Sequence, residues 1–127
     1  MHVTTLDHIV LGVADVARTA DFYERTLGMR VVELTPGRFA LRFGAQMISL
    51  HPADKLPEIA RGTAPGSGNF CLLTDVPMAE VTAHLAACGV VPVAGPDERI
   101  GAGGRLHSVY FKDPDGNLVE VSNPIAD

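Results

Sequence analysis

Four polar residues lie in apolar, strand-like stretches of the sequence and have side chains that can bind a metal ion or a substrate: His8, His51, Asn69 and Glu120. Glu120, for instance, interrupts the apolar run LVEVS. Two imidazoles and one carboxylate form a reasonable ligand set for a divalent transition metal with open coordination positions. Taken one at a time, each residue is also compatible with a structural role, such as a hydrogen-bonded histidine or a glutamate paired with an arginine.

Alternation along the predicted strands indicates which of these side chains can share a face. The apolar set of LDHIVLGV (6–13) should pack on a helix, which turns His8 toward the open face. The same alternation applies to MISLH (47–51), NFCLLT (69–74) and LVEVS (118–122). The side chains predicted on the open faces are His8, Ser49, His51, Asn69, Cys71 and Glu120. This convergence favours a metal site. The prediction depends on the strand register, because a shift of one residue would turn these side chains to the opposite face of each strand.

The elements that would position these residues occur twice in the same order. A strand at 6–13 precedes a helix at 15–28, which Asp15 can cap and Gly28 can end, and strands follow at 30–34, 39–43 and 47–51. After a linker at 52–68, rich in Pro and Gly, come a strand at 69–74, a helix at 76–89 and strands near 90–93, 106–111 and 118–122. We therefore expect one α+β domain over residues 1–127. It contains two βαβββ modules, at about 4–51 and about 69–123, and each sheet leaves one face free to line a cavity.

Composition excludes several classes of protein. The chain has 127 residues, of which 46% are hydrophobic and 20% charged, a balance typical of a globular domain. Its formal net charge of −5 argues against a nucleic-acid partner, which would require a basic surface. No apolar run approaches the ~20 residues of a membrane span. The two cysteines form no CxxC motif and make a poor disulfide framework, so we expect a reducing cytoplasm.

Three segments resemble the vicinal oxygen chelate superfamily, which includes glyoxalase I, extradiol dioxygenases and bleomycin-resistance proteins. These segments are LDHIVLGVADVARTADFYERTLGM, FALRFGAQMISLHP and YFKDPDGNLVEVSN. The resemblance covers almost the whole chain and is closest to small glyoxalase-domain-containing, dioxygenase-related proteins. It implies paired βαβββ modules that form a U-shaped mixed sheet around a cavity.

The resemblance also implies a ligand set. The family's first-strand histidine matches His8, and its last-strand glutamate matches Glu120. The family's ligand in the fourth strand falls on Ser49, which His51, two residues further on the same face, could replace. The histidine that often opens the second module falls on Asn69, a weaker oxygen donor.

The C-terminal pattern V-Y-x-x-D-P-x-G-x-x-x-E, from Val109 to Glu120, matches the second half of the extradiol dioxygenase signature. This match implies that Tyr110 orients a substrate. The acid–base histidine of that signature would fall near residues 101–103, where the chain has Gly-Ala-Gly. Arg99 and Arg105 flank this turn and are available to an anionic substrate; the alternative is a solvated loop.

Two functions are compatible with these features. The first is a divalent-metal-dependent enzyme, of lyase, isomerase or dioxygenase type, acting on a small substrate with vicinal oxygens. Its Fe²⁺, Ni²⁺, Zn²⁺ or Mn²⁺ ion would be held by His8, His51 and Glu120, with Glu120 and Tyr110 catalytic. Its substrate-binding residues would be Asn69, Ser49, Cys71 and Arg105. The second is a metal-free, ligand-sequestering protein of the bleomycin-resistance type, and for either function the resemblance implies a homodimer.

Overall fold

The computed structural model describes residues 1–2, 4–60 and 62–126, and these residues fall into two compact units. The first unit ends at Ser67 and the second begins at Gly68. Each unit contains one four-stranded mixed sheet and one α-helix.

The first unit follows the order strand, helix, strand, strand, strand. Its elements are β1 (His8–Val13), α1 (Val16–Leu27), β2 (Arg30–Thr35), β3 (Arg38–Phe43) and β4 (Gln46–Pro52). In the sheet the order is β1-β4-β3-β2, and β1 runs parallel to β4 whereas the other two pairs are antiparallel. The helix thus forms the crossover that returns the chain from β1 to the far edge of the sheet.

Local signals in the sequence explain where α1 begins and ends. The Asp15 carboxylate accepts a hydrogen bond from the backbone N–H of Arg18 at 3.0 Å, which caps the first turn. Gly28 ends the helix with a φ of 66°, the left-handed conformation that residues with a Cβ rarely adopt. Tyr23 of α1 and Leu41 of β3 are fully buried, so the apolar face of the helix covers one face of the sheet.

The second unit repeats the order of the first. Its elements are β5 (Asn69–Leu73), α2 (Met78–Ala87), β6 (Ala94–Gly101), β7 (Gly104–Lys112) and β8 (Leu118–Pro124). The sheet order is β5-β8-β7-β6, with β5 parallel to β8 and the remaining pairs antiparallel. Leu85 of α2 is buried, as are Val109 and Phe111 of β7 and Val119 of β8, so the core of this unit lies on the helix side of the sheet.

The turn between β7 and β8 fixes the register of those strands. The buried carboxylate of Asp113 accepts hydrogen bonds from the backbone N–H groups of Asp115 and Asn117, both at 2.9 Å. It also accepts one from the Asn117 side-chain amide at 2.8 Å, while the Asn117 side-chain oxygen Oδ1 accepts from the Gly68 N–H at 2.7 Å. This network holds DPDGN in one conformation, and the ladder that follows pairs the residues of β7 and β8 described below.

The predicted α+β fold with two βαβββ modules is confirmed. One strand assignment is wrong: residues 90–93 form no strand, and β6 lies at Ala94–Gly101 instead. β6 is an edge strand with an irregularity between Ala94 and Asp97, the kind of position that tolerates Pro and Gly. Gly95 has a φ of 80° there, and an added Cβ would collide with the Ser108 carbonyl oxygen.

The segment predicted as a linker, 52–68, contains two short 3₁₀ turns, Ala53–Lys55 and Glu58–Ala60, and its residue 61 lies outside the described residues. The division into modules of one domain stays a prediction. No helix in the described part of the chain is long and apolar enough to cross a membrane.

Candidate functional site

A cluster of polar side chains lies on the open face of the second sheet, around β8. This strand is hydrogen-bonded to β5 on one side and to β7 on the other. Glu120 therefore lies level with Cys71 of β5 and Tyr110 of β7, and Ser122, the next residue of β8 on this face, lies level with Ser108 of β7. We call these five residues the Glu120 cluster.

Hydrogen bonds connect most of the cluster into one chain. The Ser122 hydroxyl donates to Glu120 Oε2 at 3.2 Å. Because a serine hydroxyl has a single proton, Ser122 then accepts from the Ser108 hydroxyl at 2.6 Å, and its oxygen lies 3.2 Å from the Cys71 sulfur. Ser108 and Ser122 are fully buried, so these bonds fix the orientation of the half-buried Glu120 carboxylate.

Tyr110 extends the cluster toward β6. Burial raises the pKa of Tyr110, and a hydrogen bond to Glu120 and the negative charge of that carboxylate raise it further, although Arg99 opposes the shift. The Arg99 guanidinium lies 5.4 Å from the centre of the Tyr110 ring and pairs with the Asp97 carboxylate at 2.6 Å. Tyr110 thus remains a protonated hydroxyl that can donate a hydrogen bond over the whole physiological pH range.

Cys71 is the thiol of the cluster. Burial raises its pKa and the negative charge of Glu120 adds to that effect, whereas the hydrogen bond with Ser122 opposes it. Because the thiolate is the nucleophilic form, this position disfavours nucleophilic catalysis by Cys71 and favours the role of a small residue that contacts a ligand.

In the first unit, the two histidines predicted as ligands do not lie side by side. β1 and β4 are parallel, and their register pairs His8 with Met47 and Gly12 with His51. His8 and His51 therefore share a face but are offset by four residues, about 13 Å along the strands. Two imidazoles on one ion have nitrogens within about 4 Å of each other, so a common ion would require both rings to extend toward each other along the strands.

The partners of the two rings differ as well. His8 Nδ1 contacts the Asp7 carboxylate at 2.8 Å, an arrangement common among metal-binding histidines, and its Nε2 is the nitrogen left for a metal. His51 Nε2 lies 3.0 Å from the Arg38 guanidinium, and burial, followed by the Arg38 charge, lowers the pKa of His51. The donor set therefore fits a metal at His8 better than at His51. Among the described residues, no three His, Cys, Asp or Glu side chains lie together as a group that could hold a metal ion.

Ser49 and Asn69 occupy the positions at which the sequence resemblance implies ligands. Ser49 is buried in β4, level with Val10 of β1 and on the face of His8. Asn69 is the first residue of β5 and is exposed. It lies on the same face of the sheet as Cys71, two residues before it. Asn69 therefore lies beside the Glu120 cluster and is available to a ligand bound there.

The predicted substrate residue Arg105 lies apart from the Glu120 cluster. It alternates in β7 to the face opposite Tyr110, and its guanidinium pairs with Glu98 at 3.2 Å. Arg99, one of the two arginines beside the turn, is instead the cation that contacts Tyr110.

Sequence reasoning missed Ser108 and Ser122 as members of the cluster. The alternation that exposes Glu120 also puts Ser122 on its face, so the pattern of LVEVS contains the signal for Ser122. Ser108 becomes visible only once β7 is aligned with β8.

Comparisons with known proteins agree with the fold. A family model, the Glyoxalase/Bleomycin resistance protein/Dioxygenase superfamily, matches residues 5–121. The virulence protein STM3117 of Salmonella typhimurium is 43% identical over 124 residues, which are 96% of this chain and 85% of that protein. The glyoxalase domain-containing protein RDO1 of Mycosarcoma maydis is also 43% identical over 124 residues, 97% of this chain and 70% of that protein.

Among solved structures, the integron cassette protein VCH_CASS1 from the mobile metagenome of V. cholerae has a TM-score of 0.94 and 44% identity, with 98% of each chain covered. The resemblance inferred from the three sequence segments is therefore confirmed. The chain belongs to the Glyoxalase/Bleomycin resistance protein/Dioxygenase superfamily.

Proposed function

We propose that this protein is a divalent-metal-dependent enzyme that acts on a small substrate with vicinal oxygens, by lyase, isomerase or Fe(II) dioxygenase type chemistry. The observation that carries the proposal is the Glu120 carboxylate, half-buried on an open sheet face and oriented by the Ser122 hydroxyl. Charged groups are rarely fixed in this way in the middle of an apolar strand unless they bind or react with something.

His8 and Glu120 are the proposed ligands of the metal. His8 keeps Nε2 for an ion because Asp7 holds Nδ1, and Glu120 supplies a carboxylate whose orientation is already fixed. The assignment of both residues to one ion rests on the family resemblance of their positions. His51 is the least supported of the three predicted ligands, because of its offset from His8 and its contact with Arg38.

The residues of the Glu120 cluster have separate roles in this proposal. A bound divalent ion would act as a Lewis acid toward the vicinal oxygens of the substrate. Tyr110, kept protonated, would donate a hydrogen bond that orients the substrate, and Ser122 would hold the Glu120 carboxylate in place. Cys71 and Asn69 would contact the substrate from β5.

Elemental analysis of the purified protein tests the proposal. The protein should be prepared without chelator or a nickel column, and its metals measured in the wild type, His8→Ala and Glu120→Ala. His2→Ala and Glu58→Ala serve as controls, because these residues are exposed and are not among the proposed ligands. We expect His8→Ala and Glu120→Ala each to contain about one equivalent of metal less than the wild type and both controls. Absence of metal after reconstitution with each candidate ion would overturn the enzyme proposal.

The second candidate is a metal-free protein that sequesters a small ligand. The offset of the two histidines and the presence of Ser49 and Asn69 at the family's ligand positions favour it. A ligand screen by thermal shift, run on the metal-free protein, separates the two candidates. A sequestering protein gains stability from its ligand without added metal, and Tyr110→Phe or Asn69→Ala reduces the gain.

A homodimer in the cytoplasm is the proposed state of the protein for either function. Sedimentation equilibrium measures the oligomeric state directly, and a monomer over the full concentration range would contradict the proposed homodimer.

A further inference from the structure

A histidine and a cysteine lie together on the last turn of α2, on the helix and not in the Glu120 cluster. The Cys88 sulfur is 3.6 Å from Nε2 of His84, four residues earlier on the same helix. His84 is exposed and Cys88 is partly exposed, whereas the neighbouring Leu85 is buried in the core. The pair is therefore open to solvent and is held on a regular helix, where residues four apart lie on one face.

The distance between the two atoms matches the requirement of a tetrahedral metal ion. With a Zn–S bond of about 2.3 Å, a Zn–N bond of about 2.1 Å and an angle of about 109° between them, the sulfur and nitrogen are about 3.6 Å apart. The separation of the two atoms can therefore stay as it is when an ion replaces the thiol proton, while the imidazole turns to point its lone pair at the ion beside the line that joins them.

The position and the chemistry of the donors favour the same kind of ion. Cys88 is the residue that follows the last helical residue of α2, near the backbone carbonyl groups that form the negative end of the helix dipole. A cation is stabilised there. Thiolate and imidazole together prefer zinc and other borderline or soft ions over Mg²⁺ or Ca²⁺.

We propose that His84 and Cys88 form a second metal site, which binds Zn²⁺ and chemically similar ions through two protein ligands and leaves the remaining positions to water or another ligand. The site is independent of the proposed metal at His8 and Glu120, and it predicts proton release when the ion binds because the thiol must ionise.

The test uses Co²⁺ as a spectroscopic probe of the full-length protein. A cobalt–thiolate bond gives a charge-transfer absorption in the near ultraviolet, to which a site of histidine and carboxylate ligands contributes nothing. Titrations should be run on the wild type, Cys88→Ser, His84→Asn, Cys71→Ser and Glu80→Ala under reducing conditions. Zn²⁺ is then added to measure displacement. Cys71→Ser controls for the other thiol, and Glu80→Ala controls for a polar side chain one turn earlier on α2.

We expect the absorption in the wild type, Cys71→Ser and Glu80→Ala, its loss in Cys88→Ser and its displacement by Zn²⁺. His84→Asn should weaken Co²⁺ binding roughly tenfold or more, because the second donor acts as an intramolecular ligand. An absorption that persists in Cys88→Ser, or an affinity unchanged in His84→Asn, would overturn the proposal of a paired site. Thermal unfolding of each variant without metal verifies that it is folded, so a missing absorption can be assigned to the lost ligand.

Discussion

Replacing Ser122 by alanine should destabilise the protein by more than the removal of a single hydroxyl group would suggest. Ser122 lies at the centre of the chain of hydrogen bonds that connects Ser108, Cys71 and Glu120. Ser108 and Ser122 are both 0% exposed, so water cannot replace the missing partner of the Ser108 hydroxyl without opening the sheet. A buried donor left without its partner costs about 1–3 kcal/mol. The half-exposed Glu120 carboxylate, by contrast, can recover a hydrogen bond from solvent.

We therefore expect Ser122→Ala to lower the free energy of unfolding by about 2 kcal/mol, the middle of that range. Ser108→Ala removes a neutral hydrogen bond but leaves Ser122 bonded to Glu120 and Cys71, so its expected cost is about 1 kcal/mol. The double variant should be no less stable than Ser122→Ala, because alanine at position 108 removes the unpaired hydroxyl. The two substitutions are then coupled by about 1 kcal/mol.

Urea unfolding of the four proteins measures these differences. Ser67→Ala is the matched control, because its exposed hydroxyl makes one local hydrogen bond to the Ala64 carbonyl at 2.6 Å. This control should change stability by less than about 0.5 kcal/mol. The reasoning is refuted if Ser122→Ala unfolds with the free energy of the control, or if the effects at positions 108 and 122 simply add.

Three further predictions follow from pKa shifts. Burial and the Arg38 charge lower the pKa of His51, so NMR should find this pKa below 6.5, and Arg38→Gln should raise it. As the pH falls, the His51 imidazole is therefore protonated in the unfolded state before it is protonated in the folded state. The free energy of unfolding should then decrease as the pH drops below 6.5. Equal His51 pKa values in the wild type and Arg38→Gln would contradict this prediction. The raised pKa of Cys71 predicts slow alkylation at neutral pH, with faster alkylation in Glu120→Gln; mass spectrometry measures the modified fraction, and an unchanged rate argues against the effect of the carboxylate. The raised pKa of Tyr110 predicts that the unfolding free energy declines as the pH rises above 10.0, because the unfolded state ionises first; urea titrations should find this decline smaller in Tyr110→Phe, and an equal decline would refute it.

The faces of the strands could be predicted from the sequence because burial imposes the alternation. Ile48 and Leu50, predicted to pack on the helix, are each 1% exposed. Val119 and Val121 are also buried, with Glu120 half-buried between them on the other face. Apolar burial stabilises only one of the two possible orientations of each strand, so the pattern contains this information.

The position of residues along the strands could not be predicted in the same way. His8 and His51 share a face, but the register of a parallel pair joined by a helix and two other strands leaves no local signal in the sequence. β6 was misplaced for a related reason. The residues at 90–93 are apolar, whereas β6 contains Pro96 and Asp97, and it forms a strand because it pairs with β7 at the edge of the sheet.

The fixed position of Glu120 is compatible with both candidate functions, because a donor from the protein itself already stabilises the carboxylate. The Ser122 hydroxyl donates a hydrogen bond to Glu120 Oε2 at 3.2 Å. Arg99 is paired with Asp97 and lies over the Tyr110 ring, so its charge is already partly balanced. Glu120 is therefore an oriented acceptor, which suits either a metal ion or a ligand that donates hydrogen bonds.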